Sequence, residues 1–263
     1  MKKRTNLLFR SKWITITAMT AFAAVTFSSC LKSVSNDNNN NTPTAGFMAF
    51  NLAPDKSAIN LSLGGSTLAN ALGYIGYTGG YVSIYAGTRT TQVTETGSGN
   101  VISTPVDYTY EQNKYYSSFL IGANGTYSNL IARDNFDSLS GSNGQAYVRY
   151  INAIPDSSHP NVSLTVNGTP VNTASTNFGT LSAFIPVPTG TLTIAATNGG
   201  TIQITRDFPV TAAKVYTALI VGIPGSTDPA KVVQIKYIEN GTLNATQQNN
   251  NRVVQGNNPI KLQ

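Results

Sequence analysis

The sequence predicts an all-β protein built as two tandem antiparallel β-sandwich domains of immunoglobulin-like size. Three observations carry this reading. Charged residues make up 11% of the 263-residue chain, well below the roughly 25% of ordinary soluble domains. Thr, Ser, Asn, Gly and Tyr fill the gap, and these are residues of exposed strands and turns. Short alternating apolar runs separated by turn dipeptides recur along the chain, and nothing reads as helix for more than a turn or two. The same layout of runs and turns also occurs twice, at offsets of 100 to 103 residues.

Residues 1–29 read as a signal peptide. Lys2, Lys3, Arg4, Arg10 and Lys12 form a basic segment, and Trp13 to Phe27 an apolar one. That apolar run falls short of the ~20 residues a spanning helix needs, and it ends in small residues. Cys30 follows and is the only cysteine. It has no partner for an internal disulfide, and a lone thiol is a liability in an exported protein. Phe27-Ser28-Ser29-Cys30 resembles the lipobox of bacterial lipoproteins, with Phe27 where Leu is usual. The resemblance implies that Cys30 becomes a lipidated mature N-terminus. Several acyl chains on one residue suffice for stable anchoring. Residues 30–45 then read as a disordered, Asn-rich tether, too poor in apolar groups to offset the entropy of ordering.

The leader also explains the net charge. The formal value is +6, from 17 basic and 11 acidic residues. Without the five basic residues of the leader it falls to +1, so nucleic-acid binding loses its main support.

The first domain is expected over 46–137, a linker over 138–145, the second domain over 146–243 and an Asn/Gln-rich tail over 244–263. Val253-Val254 could dock within that tail. Asn51, Pro54 and Asp55 match Asn152, Pro155 and Asp156. The alternating run Ile59, Leu61, Leu63 matches Val162, Leu164, Val166, which places Leu61 and Leu164 on a core face. Each run ends in a hairpin dipeptide, Gly64-Gly65 or Asn167-Gly168. Tyr81–Gly87 then parallels Phe184–Gly190, and Lys114–Gly122 parallels Lys214–Gly222. A short helical turn is expected over Ser66 to Leu72.

Asn-Ala-Ile-Pro-Asp at 152–156, the run Val162 to Gly168, and Val187-Pro188-Thr189-Gly190-Thr191 together resemble the bacterial family called domain of unknown function 4397. The first half carries a degraded copy, with Gly64-Gly65 for Asn-Gly and Ala86 where Thr189 stands. The resemblance implies secreted or cell-surface β-sandwich domains, often in tandem, and brings no catalytic residues with it.

Catalytic chemistry is sparsely supplied. His159 is the only histidine. It sits with Asp156 and Ser158 in one short loop, whereas a triad draws its members from separate segments around an oxyanion hole. No metal-ligand spacing and no phosphate-binding loop is present. No cofactor is expected. Asp55 and Asp156 each follow proline at a turn, where Asp accepts backbone N–H groups, so both are expected to be structural. Asp137-Ser138-Leu139 resembles an O-glycosylation site of exported proteins, with Ser138 as acceptor. Nine of the thirteen tyrosines fall in the first domain. Tyr74 and Tyr77, beside a glycine-rich loop, are the candidate ligand contacts, because rings there have fewer core neighbours to satisfy them.

The expected function is a non-catalytic binding, adhesion or structural module, held to the outer membrane by its lipid and facing a glycan or a surface protein. The alternative is an accessory glycan-binding subunit of an uptake or secretion complex, ahead of a glycan hydrolase.

Overall fold

The computed structural model describes residues 42–244 and 253–254. The segment read as a signal peptide, Cys30, and most of the segments read as tether and tail lie outside the described residues. The first half contains β1 (Thr44–Asn51), β2 (Ala58–Leu63), β3 (Ser66–Gly73), β4 (Val82–Tyr85), β5 (Gly87–Glu95), β6 (Val106–Tyr110), β7 (Tyr115–Ala123) and β8 (Thr126–Arg133). A 3-10 turn at Phe136–Ser138 leads to the second half. There follow β9 (Ala146–Asn152), β10 (Asn161–Val166), β11 (Thr169–Ser175), β12 (Ile185–Val187), β13 (Gly190–Thr197), β14 (Gln203–Val210), β15 (Lys214–Val221), β16 (Gln234–Leu243) and β17 (Val253–Val254). No described helix is long and apolar enough to cross a membrane.

Each half is a sandwich of two sheets, and the strand orders correspond one for one except for β17, which is added at the edge of the second half. The first half has sheets β4-β1-β7-β8 and β3-β2-β5-β6. The second has β12-β9-β15-β16-β17 and β11-β10-β13-β14. Pairing is antiparallel except at β1 with β7 and at β9 with β15, which run parallel. The matched runs found in the sequence fall on equivalent strands. Leu61 of β2 and Leu164 of β10 face the two internal cores. Ser66 to Leu72 is strand rather than helical turn. The Gly64-Gly65 hairpin returns it along β2 as an edge strand, with register breaks beside Leu61.

The repeated asparagine does the same work in both halves. Asn51 Oδ1 accepts the Ala53 N–H, and its Nδ2 donates to the carbonyls of Lys56 and Leu72 at 3.0 Å. Asn152 accepts the Ile154 N–H and donates to Thr176 O. Each side chain therefore closes the turn after the first strand and ties it to the opposite sheet. Gly122 and Gly222 also correspond. Their φ angles are 114° and 117°, and a Cβ would lie 2.2 Å from Thr126 O or 2.4 Å from Val232 O. Only glycine fits either hairpin.

The sandwiches meet face to face. Met48, Phe50, Phe119 and Ile121 of β1 and β7 pack with Ile151, Leu219 and Val221 of β9 and β15, and with Ile238 of β16. The central strands are consequently buried on both faces. β7, β9 and β15 show almost no exposed residue, which is why they read as continuous apolar runs instead of alternating ones. The connecting segment is packed as well. Tyr147 Oη accepts the Ser140 N–H and donates to Ser140 O, and a Cβ on Gly141 would lie 2.9 Å from Leu243 O.

Leu219 lies in the contact between the halves, so Leu219→Ala should destabilise the protein by about 2–5 kcal/mol. In urea unfolding this would lower the midpoint without changing the slope.

Candidate functional site

The contact between the halves contains a buried polar circuit. Arg149, on β9, pairs with Asp134, which follows β8, at 2.5 Å; their side chains are 2% and 0% exposed. Arg149 Nε donates to Thr217 Oγ1 at 3.0 Å, and Thr217 donates to Asn240 Oδ1 at 2.6 Å. Asn240 Nδ2 donates to Tyr81 Oη at 3.2 Å, and Tyr81 donates back to Asp134 Oδ2 at 2.5 Å. Ser117 lies across the ring, accepting from Arg149 and donating to Asp134. Phe184 covers the guanidinium, its ring centre 4.5 Å away. Burial, then the Asp134 carboxylate, push the Tyr81 hydroxyl well above its ordinary pKa. Arg149, Asp134, Ser117, Thr217 and Asn240 are buried, Tyr81 is half-buried, and every member of the ring is engaged, so the circuit locks the two halves together.

An open groove of about 500 Å³ lies at one pole of the molecule. Its position follows from strand direction. β1 runs from Thr44 at one pole to Asn51 at the other, and β9 and β15 reach that second pole at Asn152 and Val221. The turn after β1 supplies Pro54 and Asp55, and the segment after β3 supplies Tyr74 and Ile75. The loop between β15 and β16 supplies Pro229 and Lys231, and β16 itself supplies Gln234 and Lys236. Ile75 is held at a φ of 60° by its N–H bond to Asn51 O. A β-branched residue in that left-handed region costs on the order of 1–3 kcal/mol, and such strain gathers at sites where ligands are held. Beside it the Tyr74 hydroxyl is buried with no hydrogen-bond partner among the described residues, and burial raises its pKa well above the ordinary value.

Tyr74 thus lies in the groove wall, but its ring is half-buried instead of presenting an open face. Tyr77 is not in the wall. It stacks on Phe50 with ring centres 5.6 Å apart, and burial pushes its hydroxyl up to about 12. Tyr77 packs against a cluster formed by both halves, in which Phe50 of its own domain is its stacking partner. Asp55, at the groove rim, does not cap its own turn. Its Oδ2 accepts from Asn124 N at 2.8 Å and from Tyr127 Oη at 2.5 Å, tying the turn to the β7–β8 hairpin. Asp156 stays local, accepting from Ser158 N and Oγ. His159 turns away from that pair to Asn177, 2.6 Å from its Nδ1. Ser138 is exposed and donates to Asn135 O at 2.7 Å. Among the described residues, no group of three or more His, Cys, Asp or Glu side chains is placed to hold a metal ion. Nothing in the sequence pattern had marked Lys231, Gln234 or Lys236; they enter the groove only because the second sandwich lies against the first.

Comparison with known proteins agrees with the duplicated fold. A family model described as domain of unknown function (DUF4397) matches residues 45–157 and again residues 146–255. The chain belongs to the DUF4397 family. Its two copies of the DUF4397 domain coincide with the two sandwiches, so the groove and the lock are both built where one copy meets the other. No curated protein matches the chain. Among solved structures, the 5-hydroxyisourate hydrolase of Klebsiella pneumoniae aligns at 18% identity and a TM-score of 0.25, covering 32% of this chain and 92% of that one.

Two tyrosine hydroxyls separate lock from groove. Tyr81→Phe removes a donor to Asp134 and an acceptor for Asn240, and should cost about 1–3 kcal/mol. Tyr74→Phe removes an unsatisfied hydroxyl and should be neutral or stabilising by up to ~1 kcal/mol. Thermal melts of the two variants check the contrast.

Proposed function

We propose that this chain is a lipid-anchored cell-envelope module that binds its ligand without transforming it. The observation that carries the reading is the placement of the groove. Thr44, where β1 begins, and the groove occupy opposite poles, and Cys30 precedes Thr44 in sequence. An anchor at Cys30 would attach the chain through the end of β1 remote from the groove and so leave the groove unobstructed by the attachment. Fusion of the halves into a single body holds the groove walls in fixed relation, and that preorganisation favours binding.

The distribution of carboxylates supports binding over hydrolysis. Glycoside hydrolysis uses two carboxyl groups across one sugar bond. Asp55 is the one acid in the groove wall, and it is already engaged by Asn124 and Tyr127. Several other acids are held by bases: Glu95 by Lys56, Asp137 by Lys114 and Arg133, and Glu239 by Lys214.

The anchoring half of the reading is tested by metabolic labelling with radioactive palmitate. The wild type should incorporate label into the membrane fraction, and Cys30→Ser should not. Equal labelling of the two would refute lipidation at Cys30.

A further inference from the structure

We infer that the groove takes an acidic polysaccharide, a chain of sugar rings bearing carboxylates. This deepens the binding reading above and rests on it. The first argument is electrostatic. Two ammonium groups, on Lys231 and Lys236, enter the wall together with a single carboxylate. Lys236 makes no ion pair among the described residues, and Lys231 has only a long one, 3.8 Å from Asp228 on a partly exposed face. The Asp55 carboxylate is turned to Tyr127 and the Asn124 N–H. The groove therefore carries cationic charge that its own residues leave largely unspent, and the complementary ligand is an anion.

The second argument is shape and wall chemistry. The groove is open to solvent instead of enclosed, so a segment of a longer chain can enter it. Exposed Pro229 and the accessible part of the half-buried Tyr74 ring give a small apolar surface for a pyranose ring. Gln234 offers an amide whose Nε2 makes only long contacts, 3.4 and 3.5 Å, with the carbonyls of Val232 and Ala230. Its carbonyl oxygen is available to sugar hydroxyls. A few polar groups converging on an apolar wall is the usual make-up of a ligand site.

The test is calorimetric titration of the purified full chain with three probes: oligogalacturonate, dextran oligosaccharide and poly-glutamate. Oligogalacturonate should bind, and more weakly as salt is added. Its affinity should fall about tenfold in Lys231→Gln/Lys236→Gln, two half-buried charges each contributing a few-fold. The melting temperature should be unchanged. Tyr74→Ala should weaken the same binding, whereas Tyr74→Phe should preserve it. Dextran binding as tight as oligogalacturonate and insensitive to the lysines would overturn the acidic class while leaving the groove as the binding site. Tighter binding of poly-glutamate would overturn the glycan class in favour of an acidic protein segment. Oligogalacturonate binding unaffected by the lysine pair, or no binding by any probe, would overturn the inference outright. Palmitate labelling of Cys30 reads the anchoring separately and does not depend on any of these outcomes.

Discussion

The ion pair between Arg149 and Asp134 determines how the rest of this molecule is arranged. Neither side chain reaches solvent, and burying two charges costs several kcal/mol per ion unless geometry and hydrogen bonding compensate. Compensation here draws on both halves. Tyr81 and Ser117 of the first and Thr217 and Asn240 of the second complete a circuit in which donors meet acceptors. Sliding one sandwich over the other by a single residue would leave a buried charge unpaired. Apolar surfaces alone would tolerate such slippage, because hydrophobic attraction is non-directional. The polar circuit thus fixes register, and the surrounding apolar contact of Phe50, Phe119, Ile151 and Leu219 supplies the attraction.

The interface also shows how a duplicated domain can become one body. Equivalent positions of the two copies lie in the same contact: Phe119 with Leu219 and Phe50 with Ile151 in its apolar cluster, and Ser117 with Thr217 as partners of Arg149. This is the self-complementary arrangement of a two-fold dimer, here joined by a short packed connection. The copies differ where the lock needs them to. Arg149 stands where the first half has Met48, and Asp134 where the second half has Asn240. One copy contributes the cation and the other the anion, so the pairing of unlike halves is specified by charge.

Much of the fold could be read from the chain because it is written in local patterns. Alternation at Ile59–Leu63 and Val162–Val166 and the hairpin dipeptides that follow are short-range signals, and the repeat doubled each of them. The contact between the halves was less accessible. Its signal lay in what did not alternate, namely the continuous apolar runs around Phe47–Phe50, Phe119–Ile121 and Val215–Val221, together with Arg149 alone in such a run. Two-faced burial was the physical meaning of that pattern. Tyr77 reads as a ring without core neighbours because its stacking partner, Phe50, lies on a strand far from it in sequence and the cluster around them draws on both halves. Asp55 was read as a turn cap, although its hydrogen bonds go to a hairpin far along the chain. Lys231 and Lys236 belong to a site that exists only after the sandwiches meet, so no short-range signal could have announced them.

The groove inherits its geometry from the lock. Tyr74 and Ile75 of one sandwich and Pro229 to Lys236 of the other form a single wall only while the halves keep their register. The most direct test is a double-mutant cycle on Arg149→Met and Asp134→Leu, followed by scanning calorimetry. Each single substitution strands a buried charge and should cost about 3–5 kcal/mol. The double variant should cost far less than their sum, because the pair is removed together. Wild-type protein should melt in one cooperative transition, the two sandwiches unfolding together. Additive costs in the cycle, or two separate transitions in the wild type, would contradict the account.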